Sequence, residues 1–271
     1  MRLDLWQVDA FAERPFGGNP AAIVPLEAWL PDALLQAIAN ENNLSETAFF
    51  VSSGPESYDL RWFTPAAEVE LCGHATLASA WLVFQEIAPH LNIVRFATRS
   101  GILTVERGSA GKNRMSLPAD VMRPFPGPAG FAEKLGRSLG VRAPAEVLIG
   151  RYLMAVWDDE ATIRRIKPDG DFAALLRQAD AWGLIVTGKG DGRPHDCVSR
   201  FFAPAKGVFE DPVTGSAHSC IVPYWAKRLG KKDLRAYQAS ARGGELLCTD
   251  DGGRVILAGS CALYMRGQIE V

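Results

Sequence analysis

Two short turns in this 271-residue chain combine small residues with a histidine or a hydroxyl: L-C-G-H-A-T (71–76) and V-T-G-S-A-H-S (213–219). Each opens into an apolar run that reaches a tryptophan, Trp81 or Trp225. A turn that opens into a helix leaves backbone N–H groups free at the positive end of the helix dipole, where an anion is favoured. Gly73 and Gly215 let the backbone approach a ligand closely. The anion could be a phosphate, a carboxylate or a reaction oxyanion. The alternative is a plain helix cap, with Thr214 or Ser216 as the capping oxygen. No phosphate-loop lysine motif is present, and G-K-G-D-G-R (188–193) has Arg where a dinucleotide fingerprint needs its last Gly, so it reads as a hairpin loop. Ser216 lacks the G-x-S-x-G elbow of a nucleophilic serine, and His218, two residues on, faces another way on a helix. A substrate carboxylate fits these turns better than a nucleotide.

Three ionisable residues lie beside such turns: Glu46 in N-N-L-S-E-T-A-F-F, His74, and Asp211 in F-E-D-P. Glu46 is flanked by Leu44, Ala48 and Phe49, a setting expected to desolvate it partly and raise its pKa toward the range of a general acid/base. The competing readings are structural. Glu46 could be a strand-edge acid, Asp211 could shape the turn before Pro212, and His74 could donate into the helix-start loop.

The elements that must position these residues read as short strands with a few helices. Leu3 to Phe11 alternates like a strand, F-G-G-N-P turns, and A-A-I-V resumes. L-P-D-A-L-L-Q-A-I-A-N-E-N-N is amphipathic, with Leu34, Leu35, Ile38 and Ala39 on one helical face. Residues 93–107 predict a hairpin turning at Ser100-Gly101. The Pro-rich stretch 117–130 is the best linker candidate. Beyond it come a helix (131–140), paired strands (146–157), a helix near 172–179 and a strand near 183–187.

The two halves repeat one plan. R-W-F-T-P (61–65) is echoed by R-F-F-A-P (200–204), and each is followed by acidic residues, a Gly with small neighbours and a helix. Both helices are apolar nearly all round, so each should be buried within its own sheet. Pro223 should kink or loosen the second. The expected architecture is α+β, with two pseudo-symmetric lobes facing each other across a cleft. The N-terminal lobe takes residues 1–117, with 261–271 returning to it, and the C-terminal lobe takes 118–260.

Composition narrows the partners. Lys and Arg number 29 against 31 Asp and Glu, for a net charge of −2, and no basic block stands out. Nucleic acid and anionic membranes are therefore not expected ligands. The N-terminus reads as a strand, not a signal peptide, which makes the cytoplasm the expected location. The five cysteines form no C-x-x-C pair, so neither a disulfide framework nor a structural zinc site is expected. Four read as buried thiols, and Cys72 stands apart because of its neighbours.

D-A-F-A-E-R-P-F-G-G-N-P-A-A-I-V, N-N-L-S-E-T-A-F-F, R-W-F-T-P-A-A-E-V-E-L-C-G-H-A-T-L-A-S-A, S-R-F-F-A-P, F-E-D-P-V-T-G-S-A-H, Q-A-S-A-R-G-G-E-L and R-V-I-L-A-G together resemble the phenazine-biosynthesis PhzF-like family. The resemblance implies a diaminopimelate epimerase-like fold, two lobes each with a barrel-like sheet around a central helix. It implies Glu46 as catalytic acid/base, with His74 and Asp211 assisting. It also implies Gly73, Gly215 and Ser216 as substrate-binding groups and Asn19 at the edge of the site. The two-base epimerase relatives carry a cysteine at the start of each central helix. Here Cys72 remains, while Ala217 is taken as the counterpart of the second. The implied enzyme is an isomerase of a small carboxylate-bearing metabolite that needs no metal or organic cofactor and works as a homodimer. The family prototype isomerises trans-2,3-dihydro-3-hydroxyanthranilate. The alternatives are an epimerase pairing Glu46 with a second acid, and a non-catalytic binding protein on the same scaffold.

Overall fold

The computed structural model describes every residue except Arg193, and it divides into two units. One comprises Met1–Leu117 with Ile256–Val271, and the other Pro118–Val255.

In the first unit, β1 (Arg2–Ala10) pairs antiparallel with β2 (Asn19–Leu26), and β2 runs parallel to β3 (Glu46–Gly54). β3 pairs antiparallel with β4 (Ser57–Phe63). The turn between β1 and β2 closes tightly at Gly18, whose φ is +62° and whose Cβ, if present, would lie 2.1 Å from the Ala10 carbonyl oxygen. Only glycine fits there, and the next residue, Asn19, thereby starts β2. The chain between β2 and β3 is α1 (Asp32–Asn42), which ends where Asn43 adopts the left-handed conformation. The helix lays Leu35, Ile38 and Ala39 against Val24, Phe49 and Phe63, close to the predicted face. The hairpin is also as predicted: strand Ile93–Thr98 pairs with Gly101–Glu106, with Thr98 opposite Gly101.

Side chains alternate across β3. Phe49 packs toward α1. Glu46, Ala48 and Phe50 therefore share the opposite face, the side of α2 (Gly73–Leu82). A register slip of one residue would turn Glu46 away. Nearly every residue of α2 is buried, as a helix without a polar face must be. It packs on β1, β2, β3, Gly101–Glu106 and Cys261–Glu270.

The second unit holds α3 (Phe131–Ser138), α4 (Glu160–Arg165), α5 (Phe172–Gln178) and α6 (Gly215–Leu229). Strands Glu146–Ile149 and Leu153–Trp157 form the predicted pair. Strand Leu184–Lys189 runs parallel to the latter and antiparallel to Cys197–Ala203, with Lys189 opposite Cys197. The G-K-G-D-G-R segment is thus the hairpin connection it was read to be, although its Arg193 lies outside the described residues. Helix α6 is largely buried and continues past Pro223 to Leu229. A proline leaves the carbonyl four residues earlier without its helical donor. That carbonyl, of Ser219, accepts the backbone N–H of Asp120 at 2.9 Å. The Pro-rich segment therefore repairs the helix that Pro223 interrupts.

The internal repeat is visible in the ion pairs. Arg61 grips Glu68 through two bonds of 2.8 and 2.9 Å, and Arg200 grips Glu210 through two of 2.7 and 2.9 Å. Both glutamates stand five residues before the glycine that opens the helix. The second copy is longer because a single turn of tight helix, Pro204–Lys206, is inserted before its glutamate. Among the described residues, no helix is long and apolar enough to cross a membrane.

Candidate active site

Parallel strands begin at the same edge of a sheet. Ala21 of β2 pairs with Glu46 of β3, so Asn19 and Glu46 start adjacent strands, and the first turn of α2 arrives beside them. His74 sits at the centre of this group. Its Nε2 is 3.2 Å from Glu46 Oε2, off the in-line direction of a hydrogen bond. Its Nδ1 accepts from Asn19 Nδ2 at 3.2 Å and lies 3.5 Å from Cys72 Sγ. Asn19, Cys72 and His74 are buried, and the Glu46 side chain keeps 17% of its exposure.

Burial pushes His74 down to about 3, and a hydrogen bond with the Pro20 backbone opposes this without reversing it. The imidazole is therefore neutral at pH 7. With the Asn19 amide nitrogen as donor to Nδ1, the ring proton falls on Nε2, the nitrogen beside Glu46. A neutral imidazole beside the carboxylate adds no net charge to the site.

In the second unit, Asp211 ends strand Val208–Asp211 and accepts the Thr214 hydroxyl through Oδ2. Gln238, fully buried, fastens this turn. Its Oε1 accepts the Thr214 N–H at 2.9 Å, and its Nε2 donates to the Asp211 carbonyl at 2.7 Å and to Thr214 Oγ1 at 3.2 Å. Ser216 Oγ is 2.8 Å from Tyr152 Oη, and burial holds that phenol at about 12, so it stays neutral. The Tyr152 ring is locked edge-on by Trp182 and Phe201, each with its centroid 4.9 Å away.

Neither central helix is capped by its own N-cap side chain. The cap reading of T-G-S fails because the Thr214 hydroxyl turns back to Asp211 and Ser216 turns to Tyr152. The first-turn N–H groups at Gly73–His74 and Gly215–Ser216 are thereby left to another acceptor.

The structure corrects one equivalence. The N-cap residues are Cys72 and Thr214, both with extended backbone. Four residues on, Thr76 Oγ1 donates to the Cys72 carbonyl at 2.6 Å and His218 Nδ1 donates to the Thr214 carbonyl at 2.8 Å. Thr214, not Ala217, is thus the counterpart of Cys72. Ala217 lies one turn too far along, facing the core. A hydroxyl replaces the second thiol, so two-thiol inversion is still not available to this chain.

Sequence reasoning singled out Glu46, His74, Asn19 and Gly73, and the structure brings Glu46, His74 and Asn19 into contact. It places Asp211, Gly215 and Ser216 around the start of α6. It missed Tyr152, Thr214 and Gln238. Gln238 lies in the Q-A-S-A-R-G-G-E-L motif, which was a signal without an assignable task; Tyr152 had no local signal. Gln238→Leu removes the partners of the buried Thr214 N–H and the half-buried Asp211 carbonyl. Urea unfolding should show a loss of about 3 kcal/mol, and a loss below about 0.5 kcal/mol would mean the clamp is not needed.

The two-unit α+β arrangement is the fold of diaminopimelate epimerase-like proteins. A hydroxyproline epimerase from Agrobacterium vitis shares it with a TM-score of 0.63 at 8% identity, covering 99% of this chain and 92% of that one. The chain belongs to the phenazine biosynthesis-like protein family, whose sequence profile matches residues 8–267. It is 49% identical over 271 residues to an uncharacterized isomerase of Pseudomonas aeruginosa, covering 100% of both chains. A crystal structure of a PhzF-family phenazine biosynthesis protein from Enterococcus faecalis superposes with a TM-score of 0.91 at 43% identity, again covering 100% of both.

Proposed function

We propose that this protein is an isomerase that removes a carbon-bound proton from a small carboxylate-bearing metabolite and returns it elsewhere, with Glu46 as acid and base. The observation that carries this reading is the 3.2 Å approach of the Glu46 carboxylate to a buried, neutral His74. Relatives named as isomerases at 49% and 48% identity over the full chain support the reaction type.

The proposed cycle uses the chain's own groups. The Glu46 carboxylate takes the proton from carbon, which neutralises it. The acid form is then poised to give the proton back. Negative charge that develops on the substrate needs preorganised donors. The uncapped N–H groups at the helix starts are of that kind, and losing one such donor typically costs about 3 kcal/mol of barrier. Ser216, set by Tyr152, is assigned to the substrate carboxylate. Ser216→Ala should raise KM about tenfold with little change in kcat, the loss expected for one hydrogen bond to a charged group. A fall in kcat at constant KM would move Ser216 from binding to chemistry.

The test is incubation with trans-2,3-dihydro-3-hydroxyanthranilate and a panel of small cyclic and amino-acid-like carboxylates in D2O. Products are followed by mass spectrometry. A shielded single base recycles its proton, so the isomerised product should carry little deuterium. Full incorporation of one solvent deuteron per turnover would favour a two-base epimerase instead.

A further inference from the structure

The proposed reaction uses Glu46 and His74 and leaves the Cys72 thiol without a task. Yet Glu46, Cys72 and His74 each offer a ligand atom, and these atoms lie within 4.8 Å of one another. The three donors are a carboxylate oxygen, a sulfur and an imidazole nitrogen. That set suits a borderline-soft cation, whereas magnesium and calcium call for several oxygens. The span also fits. Zinc holds sulfur at about 2.3 Å and imidazole nitrogen at about 2.0–2.1 Å, so tetrahedral angles separate the two ligands by about 3.6 Å. Cys72 Sγ and His74 Nδ1 are 3.5 Å apart. A neutral imidazole keeps one unprotonated ring nitrogen, the form that ligates. Three protein ligands leave a fourth position for water or a small ligand.

We propose that Cys72, His74 and Glu46 form a binding site for a divalent cation of the zinc class. Binding releases the thiol proton of Cys72 to solvent and forms the metal–sulfur bond, with no change of oxidation state. Asn19 competes with the metal, since its amide donates to the same Nδ1 lone pair.

The test uses the full-length, untagged, chelator-treated protein and needs no substrate. Zn(II) is titrated by calorimetry, and Co(II) is titrated while the near-ultraviolet sulfur-to-cobalt charge-transfer band is recorded. One metal per chain and a clear band are expected. Cys72→Ser should lose the band and bind zinc at least about 100-fold more weakly. Glu46→Gln should weaken binding but keep the band. Asn19→Ala should tighten it, and Cys261→Ser should leave it as in the wild type. Absence of the band in the folded wild type would overturn the proposal, and so would unchanged zinc affinity in Cys72→Ser. If circular dichroism shows Cys72→Ser unfolded, Cys72→Ala and the wild-type band decide. Because no turnover is measured, failure here leaves the isomerase reading standing, and active Glu46→Gln would sink that reading while leaving the metal site.

Discussion

Glu46→Gln should abolish turnover while the protein folds and binds ligand as before. Gln is the same shape, so β3 keeps its register and the buried face opposite α1 is unchanged. What disappears is the group that takes up a proton. General acid–base catalysis by one positioned side chain is worth about 10²–10⁴ in rate, and here that residue is assigned both the removal and the return. The expected drop in kcat is therefore at the upper end of that range, with KM changed little. The variant is compared with wild type on whichever carboxylate of the panel is converted, and ligand binding is followed separately by calorimetry. Turnover near the wild-type rate would remove Glu46 from the chemistry.

The second large effect is on acid stability. His74 is held down to about 3 and His218 to about 4, in both cases by burial. An unfolded histidine titrates near 6.5. The folded state thus keeps both rings neutral over a range where the unfolded chain takes up two protons. Stability from this source is complete above pH 6.5 and is lost as pH falls from 6.5 toward 4. Each ring contributes a slope of about 1.4 kcal/mol per pH unit in that window, so the two give about 2.7 kcal/mol per unit. Denaturant unfolding at pH 7, 6 and 5 measures the slope. His218→Asn isolates one ring, because an asparagine amide can still donate to the Thr214 carbonyl but does not titrate. Its slope should be shallower by about 1.4 kcal/mol per pH unit. An identical slope would show that His218 is not the titrating group.

Much of this site is legible in the sequence because its signals are local. The repeated Arg-aromatic-Phe-x-Pro segment, the glycine before each helix and the apolar helices are short-range patterns, and the Arg61–Glu68 and Arg200–Glu210 pairs show both copies built alike. The one false equivalence came from counting without the tertiary frame. Ala217 looked like the missing cysteine until the N-caps aligned Thr214 with Cys72.

The sequence alone determined the α+β class, the family resemblance, the absence of a second thiol and the candidate acid Glu46. Only the tertiary structure placed His74 against both Glu46 and Asn19, the latter 55 residues away. Only it showed that Gln238 fastens the Asp211–Thr214 turn and that Tyr152 sets Ser216, over separations of 24 and 64 residues. The reason is physical. Backbone preferences act over a few residues, whereas burial, tautomer and hydrogen-bond partner are fixed by strand pairings and helix placements that join distant parts of the chain.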